Sequence, residues 1–241
     1  MVDVSWPVIY EAPCPTLALG SRRFDIRHRA VVMGLVDGRA GLDGVLSVAE
    51  GLVDEGAAAL DLGTFEAVDD VVPVVRSLHE RFDVPLCIAT SRSEVLPAAL
   101  AAGAAVWNDT TGRADLHDLA AIHAAGASVI LPSRSADDGE GSTADSVIAL
   151  REAAGLAPER VSIDIRTLAL LRGSQGPASL GSPLCLTSSG GGGSDRGGAI
   201  AAVALGISLG VRLVRTRDGR GARRTADVMA AVLEAREPVS P

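Results

Sequence analysis

Apolar runs alternate with helical patterns along almost the whole chain, and this alternation restricts the fold more than any other feature. The runs predict strands near residues 31–36, 58–62, 84–88, 104–108, 127–131, 161–165, 183–187 and 211–215. The helical patterns predict helices near residues 43–56, 68–82, 92–102, 115–125, 142–155, 167–172, 197–209 and 222–236. Continuous apolar strands that are separated by helices indicate a parallel sheet buried on both faces. Eight such units favour an α/β fold closed into an eight-stranded parallel (β/α)8 barrel, a TIM barrel, over an open doubly wound sheet.

Length and composition fit one barrel domain. The 241 residues match the usual size of such a barrel, and 47% of them are hydrophobic, so the chain can bury a sizeable core. Aromatic residues make up only 2%, so aliphatic side chains must fill that core. Residues 1–29 precede the first predicted strand and are expected to cap the barrel floor as an irregular hairpin, while residues 30–241 form the barrel.

Glycines follow several predicted helices directly before a strand. Such glycines end helices well because they tolerate the left-handed backbone conformation. The predicted helix ends are Gly56, Gly103, Gly126, Gly155 and Gly210.

The chain contains no lysine, since all 22 basic residues are arginine. This excludes a Schiff-base lysine, a P-loop lysine and a lysine general base. The net charge of -8 argues against nucleic acid as a partner, because phosphate neutralisation needs a basic face.

Cysteine usage and hydropathy indicate a cytoplasmic protein. Cys14, Cys87 and Cys185 lie far apart and show neither metal-ligand spacing nor a disulfide framework. The N-terminal residues lack the pattern of a signal peptide. The apolar segment 199–211 is short and is followed by Arg212, so it predicts a buried helix, and no membrane partner is expected.

Four segments resemble the strands of one enzyme family. They are Val31–Val36, Ala59–Gly63, Pro85–Thr90 and Val106–Gly112, and they resemble the first half of a dihydropteroate synthase. The tail Asp218–Met229 is similar to that of actinobacterial members. The resemblance covers nearly the whole chain and implies a pterin-binding barrel of folate-type metabolism.

The resemblance assigns candidate ligand-binding residues. Asn108 matches an asparagine that binds the pterin, Asp164 an aspartate that grips its aminopyrimidine edge, and Arg215 an arginine near the ring. A carboxylate can accept two adjacent N–H groups of such an edge, and an arginine can stack on the ring or meet a diphosphate. The remaining candidates for ligand binding are Asp37, Asp61 and Arg217.

The sequence also departs from the family where the family does its chemistry. Ala89 stands where the resemblance expects an aspartate, and Arg217 where it expects a histidine. The pterin-contacting lysine is replaced within Ser188–Gly190. The loops after the first two barrel strands are replaced by short segments, and Asp37 is the nearest counterpart of a magnesium-binding asparagine. Mg²⁺ is therefore a doubtful cofactor, no metal site is assigned, and the catalytic residues remain unknown.

Three hypotheses for function follow. The leading one is a dihydropteroate synthase-like pseudoenzyme that keeps a pterin- or anion-binding pocket, with a pterin or another phosphate-bearing small molecule as ligand. The second is an active pterin-family transferase with altered chemistry. The third is a non-catalytic partner that forms a heterodimer with a genuine synthase through its outer helices. The resemblance alone also suggests a homodimer.

Each candidate residue also has a purely structural interpretation. Asn108 and Asp109 could cap the next helix, and Asp164 could form an ion pair with Arg215 or Arg166. The glycine-rich segment 188–194 could seat a phosphate at a helix N-terminus, or it could merely replace lost catalytic sequence.

Overall fold

The computed structural model describes residues 11–63, 68–133, 144–165, 180–188 and 195–235, and it confirms the predicted barrel. A two-stranded hairpin comes first, with β1 Thr16–Leu19 antiparallel to β2 Arg22–Asp25. Eight parallel strands follow: β3 Val31–Asp37, β4 Ala59–Gly63, β5 Leu86–Thr90, β6 Val106–Asp109, β7 Ser128–Pro132, β8 Val161–Asp164, β9 Leu184–Ser188 and β10 Val211–Thr216. They close into a barrel in the order β10-β3-β4-β5-β6-β7-β8-β9.

The helices follow the strands as the sequence predicts. The described ones are α1 Gly41–Asp54, α2 Val71–Arg81, α3 Leu96–Ala101, α4 Leu116–Ala124, α5 Ala144–Ala153, α6 Arg196–Ser208 and α7 Gly219–Glu234. The helix predicted near 167–172 lies outside the described residues. The five glycines that were predicted to end helices all have positive φ.

The outer face of the barrel packs against this ring of helices in two apolar clusters. One cluster joins α1, α2 and α3 to the first barrel strands, and the other joins α4 to α7 to the remaining strands. Gly34 on β3 shows how closely the layers approach, because a Cβ at this position would lie 2.9 Å from a methyl carbon of Leu52 on α1.

The hairpin of β1 and β2 closes the amino-terminal end of the barrel. Leu17, Leu19 and Ile26 are buried in one cluster with the lowest inward-facing side chains of the barrel strands. At the turn, Gly20 has a φ of 63°, and its N–H donates to the Ser128 hydroxyl over 3.1 Å. The barrel floor is therefore an apolar plug with specific polar attachments.

A buried arginine attaches the segment after the hairpin to the last strand. Arg212 on β10 is fully buried, and its guanidinium donates to the carbonyls of Ile26, Ile207 and Val211 over 2.9, 2.8 and 2.9 Å. Burial lowers the pKa of Arg212 to about 10. The Ile207 carbonyl belongs to the last turn of α6, where the helix dipole favours positive charge.

Within the described ranges, no helix combines the length and the apolar character that crossing a bilayer requires.

Candidate functional site

Inward-facing side chains fill the barrel in two layers of different chemistry. The lower layer is apolar and consists of Val31, Met33, Ala59, Cys87, Val106, Ile130, Cys185 and Leu213, which lie above the hairpin. Side chains alternate along a strand, so the next inward position on each strand lies closer to its carboxyl end. On β4, β6, β9 and β10 those next positions hold the polar residues Asp61, Asn108, Thr187 and Arg215, and on β8 Asp164 follows Ser162 at the same spacing. The corresponding positions on β3, β5 and β7 hold Leu35, Ala89 and Pro132.

Arg215 on β10 is the centre of the polar layer. Its Nε donates to Oδ2 of Asp61 over 2.8 Å, and Nη2 donates to the same oxygen over 2.5 Å. On the other side, Nη1 donates to the Thr187 hydroxyl over 2.8 Å and to Oδ2 of Asp164 over 3.2 Å. One guanidinium thus joins β4, β8 and β9 across the top of the barrel.

The ion pair between Arg215 and Asp61 is almost completely buried. Side-chain exposure is 10% for Arg215 and 1% for Asp61. Burial by itself lowers the pKa of Arg215, but the negative charges of Asp61 and Asp164 raise it, and the net pKa lies above the ordinary value of an arginine. The arginine is therefore permanently charged, and each carboxylate gains a fixed partner.

The Oδ1 atom of Asp61 is an exception to this pairing. It is buried and has no hydrogen-bond partner in the described part of the chain, whereas Oδ2 accepts from both Arg215 and Asn108. Burial of a carboxylate oxygen without a hydrogen-bond partner lowers the stability of the folded protein. The ion pair with Arg215 offsets this loss of stability.

Asn108 on β6 belongs to the same network. Its amide nitrogen donates to Oδ2 of Asp61 over 3.4 Å, and the residue is only 3% exposed. The neighbouring Asp109 has a structural role, because its carboxylate accepts from the backbone N–H groups of Thr111 and Ala114 and shapes the turn after β6. The next helix is capped by Asp115 instead.

Asp164 on β8 is the most accessible acid in the network, with 23% side-chain exposure. Of the two partners that the sequence suggested, Arg215 contacts it, while Arg166 lies outside the described residues. The structure therefore brings Asn108, Asp61, Asp164 and Arg215 together, but the pairing of Asp164 with Arg215 also fits the purely structural interpretation.

A cavity of about 400 Å³ opens beside the network at the carboxyl ends of β3, β4 and β5. Asp61 and Arg215 form part of its wall, whereas Asn108 and Asp164 do not. The two remaining candidates, Asp37 and Arg217, lie on the wall without a hydrogen bond to the network. Of the glycine-rich segment, Ser188 is described and donates to the Ala199 carbonyl over 3.3 Å, and the rest lies outside the described residues.

Asp37 does not suit a magnesium ion in this arrangement. Its carboxylate accepts from Nε and Nη2 of Arg39 over 3.1 and 2.7 Å, and these hydrogen bonds, with a smaller contribution from the charge of Arg217, lower the pKa of Asp37 to about 2. Among the described residues, no three metal-binding side chains are grouped. Because Mg²⁺ favours several oxygen ligands free of competing cations, we assign no metal-dependent step to this site.

Two thiols lie just below the network. Burial raises the pKa values of Cys87 and Cys185, and the nearby charges of Asp61 and Asp164, respectively, add to the effect. Both side chains are therefore neutral thiols, which are poor nucleophiles. Sequence reasoning did not select them, nor Thr187, although their two-residue spacing on β9 could have indicated that Cys185 and Thr187 both point inward.

Comparison with known proteins places the site in a family. Residues 37–175 match the family model described as pterin binding enzyme. A dihydropteroate synthase of Clostridium beijerinckii is 28% identical over 130 residues, covering 45% of this chain and 48% of the relative. A dihydropteroate synthase of Synechocystis is 30% identical over 120 residues, and the match covers 41% of this chain and 42% of the relative. The chain thus spans about half the length of the curated relatives it matches.

Solved structures share the whole fold. A dihydropteroate synthase from Coxiella burnetii in complex with pteroic acid has a TM-score of 0.72 at 22% identity, covering 91% of this chain and 99% of that one. A dihydropteroate synthase from Xanthomonas albilineans in complex with 7,8-dihydropteroate has a TM-score of 0.73 at 23% identity, and the match covers 93% of this chain and 100% of that one. The Mycobacterium tuberculosis protein Rv1207 has a TM-score of 0.71 at 26% identity, and the match covers 88% of this chain and 95% of that one. At such identities the first two likenesses show the fold alone.

The dependence of Asp61 on Arg215 predicts a marked difference between two variants. Arg215→Met should destabilise the protein by about 3–5 kcal/mol, because it leaves a buried carboxylate without its cation. Asp61→Asn combined with Arg215→Met should cost less, since both charges are then gone. Urea denaturation of both variants measures the effect, with Arg76→Met on the exposed face of α2 as control. A single variant within about 1 kcal/mol of the wild type would contradict the argument.

Proposed function

The chain belongs to the family of pterin-binding enzymes, and we propose that it binds a pterin at the mouth of the barrel through Asp164, Asn108 and Arg215. The observation that carries the proposal is the hydrogen-bonded network of these residues with Asp61 at the carboxyl ends of their strands. In barrels of this kind, ligands bind at that end.

The chemistry of the network suits a pterin. The ring edge presents amino and ring N–H donors, and Asp164 combines partial exposure with a negative charge, so it can accept two donors side by side. Asn108 supplies an amide deeper in the barrel, where it can match a mixed edge of donors and acceptors. Arg215 is held rigidly by Asp61 and Thr187, so it presents a fixed guanidinium plane to the ring.

We propose further that this pocket is retained without dihydropteroate synthase activity. The chain has no lysine, and Ala89 stands where the family resemblance leads one to expect an aspartate. The carboxylate of Asp37 is already paired with the guanidinium of Arg39. Binding energy from the buried network therefore remains, whereas the lysine and the aspartate that the family resemblance leads one to expect are missing from the sequence. The alternative is an active synthase, and it is favoured by the names of the relatives and of the solved structures with the same fold.

Pterin binding tests the first part of the proposal. A pterin such as 6-hydroxymethylpterin should bind the full-length protein, and Asp164→Asn should weaken binding by about 1.5–3 kcal/mol, because a charged acceptor becomes a neutral amide. Isothermal titration calorimetry gives the affinities. The matched control is Asp54→Asn at the exposed end of α1. Equal binding by both variants and the wild type would place the pterin elsewhere.

Catalysis tests the second part. Purified protein that is given the pterin diphosphate, p-aminobenzoate and Mg²⁺ should form no dihydropteroate above the uncatalysed background. A rate enhancement of about 10⁶ requires about 8 kcal/mol of transition-state stabilisation, and the sequence lacks the obvious sources of it. Chromatographic detection of the product measures the rate. Turnover within about tenfold of an ordinary synthase assayed alongside would establish the alternative.

We also propose a homodimer through the outer surface of α6, α7 and α1. Of the large hydrophobic side chains that the structure shows as exposed, all except Leu116 lie on these three neighbouring helices: Leu42, Val48, Ile200, Leu205, Val228 and Val232. Exposed apolar side chains on neighbouring helices are typical of an interface, and a second copy of the chain would cover them symmetrically.

Light scattering after size exclusion tests the dimer. The wild type should have the mass of two chains, and the double variant Val228→Glu with Val232→Glu should have the mass of one while keeping its circular dichroism. Leu116→Glu on α4 is the control and should remain dimeric. A monomeric wild type at micromolar concentration would exclude the homodimer and would direct attention to a related synthase as the partner.

A further inference from the structure

A second cavity, the floor cavity, lies beside the hairpin at the opposite end of the barrel from the mouth. Its volume of about 360 Å³ falls within the usual range of small-molecule sites, about 300–1,000 Å³. It is lined by Leu19, Ser21 and Arg22 of the hairpin, by residues 79–85, and by Gly103 and Ala105 before β6. None of these residues lines the mouth cavity or belongs to the network around Arg215.

Apolar side chains form the base of the floor cavity. Two of them are buried and three are half-buried, in the order Leu19, Pro85, Phe82, Val84 and Ala105. The ring of Phe82 is also covered by a cation, because the guanidinium carbon of Arg81 lies 5.6 Å from the ring centre. Such a base can take up the apolar part of a small ligand and remove it from water.

The charged side chains on the wall of the floor cavity are equally divided between the two signs. Arg22 and Arg81 are positive, and Glu80 and Asp83 are negative. Arg22 pairs with Asp83 over 2.8 Å, while Arg81 pairs over 3.0 Å with Glu50, which does not line the cavity. Glu80 forms no ion pair or hydrogen bond with another described residue. A wall that has both signs and no net charge suits a zwitterion better than a simple ion.

Arg22 is placed to bind a carboxylate. Its Nη1 donates to the backbone carbonyl of Asp83 over 2.8 Å, which fixes one side of the guanidinium. Its Nη2 contacts the carboxylate of Asp83, and that side chain is 99% exposed. An ion pair with so exposed a partner contributes little to stability, so the carboxylate of a ligand can take the place of the Asp83 carboxylate. The planar guanidinium then presents N–H donors in the geometry that a carboxylate accepts.

The end of α2 supplies a complementary site for an ammonium group. The Leu78 carbonyl accepts from the Phe82 N–H over 2.9 Å, and the carbonyls beyond it have no helical partner. They form the negative end of the helix dipole, and the unpaired carboxylate of Glu80 lies in the same turn. The imidazole of His79 limits the cavity here, because it lies so close over Gly103 that any Cβ at that position would overlap it.

We propose that the floor cavity binds an α-amino acid with an apolar side chain as a zwitterion. Arg22 binds its carboxylate, Glu80 and the carbonyl end of α2 bind its ammonium group, and the apolar base contacts its side chain. A ligand with only one of the two charges leaves one of these polar groups without a partner. The site is separated from the pterin site by the length of the barrel and does not depend on it.

Calorimetric titration of the full-length protein with L-leucine tests the proposal, and binding is expected at millimolar concentration or below. Two analogues of leucine separate the charges, because 4-methylpentanoate lacks the ammonium group and 3-methylbutylamine lacks the carboxylate. Each analogue should bind on the order of tenfold more weakly than leucine, since each loses charge-assisted hydrogen bonds. An analogue that binds as tightly as leucine would overturn the assignment of a zwitterionic ligand.

Substitutions of the two charged partners locate the site. Arg22→Gln and Glu80→Gln should each lower the affinity for leucine on the order of tenfold. Arg113→Gln between β6 and α4 and Glu234→Gln at the end of α7 make the same changes in net charge at exposed positions, and both should bind leucine like the wild type. Circular dichroism shows whether each variant is folded.

Ser21→Trp provides an independent test, because it fills the exposed side of the cavity without removing a charge. This variant should lose leucine binding while its circular dichroism stays that of the wild type. Asp164→Asn should keep the wild-type affinity for leucine, so a failure of the pterin site can be recognised separately. The floor site is disproved if the wild type does not bind L-leucine at millimolar concentration, or if Arg22→Gln and Glu80→Gln both bind it like the wild type.

Discussion

The ion pair between Arg215 and Asp61 is the constraint on which the upper half of the barrel depends. Two opposite charges lie nearly out of reach of water, so neither can lose its partner without a large cost in free energy. Since the two residues sit on β10 and β4, with β3 between them, the pair fixes the closure of the barrel at the point where the last strand meets the first. Thr187 and Asp164 then fix the arginine from the opposite side.

This arrangement makes the barrel mouth asymmetric. On the side of β8 and β9, the acid Asp164 is held by Arg215 and remains partly exposed, which suits a ligand with N–H donors. On the side of β3 to β5, the cavity wall contains Asp37 and Asp61, both paired with arginine, and also Arg92 and Arg217, whose guanidinium groups have no partner among the described residues. The mouth therefore presents an acid on one side and two arginines on the other.

The sequence predicted the barrel well because its signals are local. Alternating apolar runs and helical patterns, with glycines at helix ends, depend only on neighbours along the chain, and the strands lie within a few residues of their predicted positions. The meeting of Asp61, Asp164 and Arg215 was partly predictable, since strand ends converge in such a barrel. The pairing of each carboxylate with a particular N–H donor could not be predicted, because it depends on strand register and on the full length of each side chain. For the same reason the sequence did not predict the buried role of Arg212, because its partner, the Ile26 carbonyl, is remote in sequence.

Loss of chemistry and loss of binding need not occur together in such a fold. The residues of the network stabilise the barrel itself, since removal of one would strand a buried charge, and selection for folding alone would therefore retain them. Loops at a barrel mouth contribute less to the stability of the fold. Substitutions in such loops can therefore remove transition-state stabilisation while the protein stays nearly as stable. If the proposed loss of activity is correct, the buried network would remain as a binding pocket. The buried charges thus explain why neither Asp61 nor Arg215 can be replaced alone without a cost to the stability of the fold.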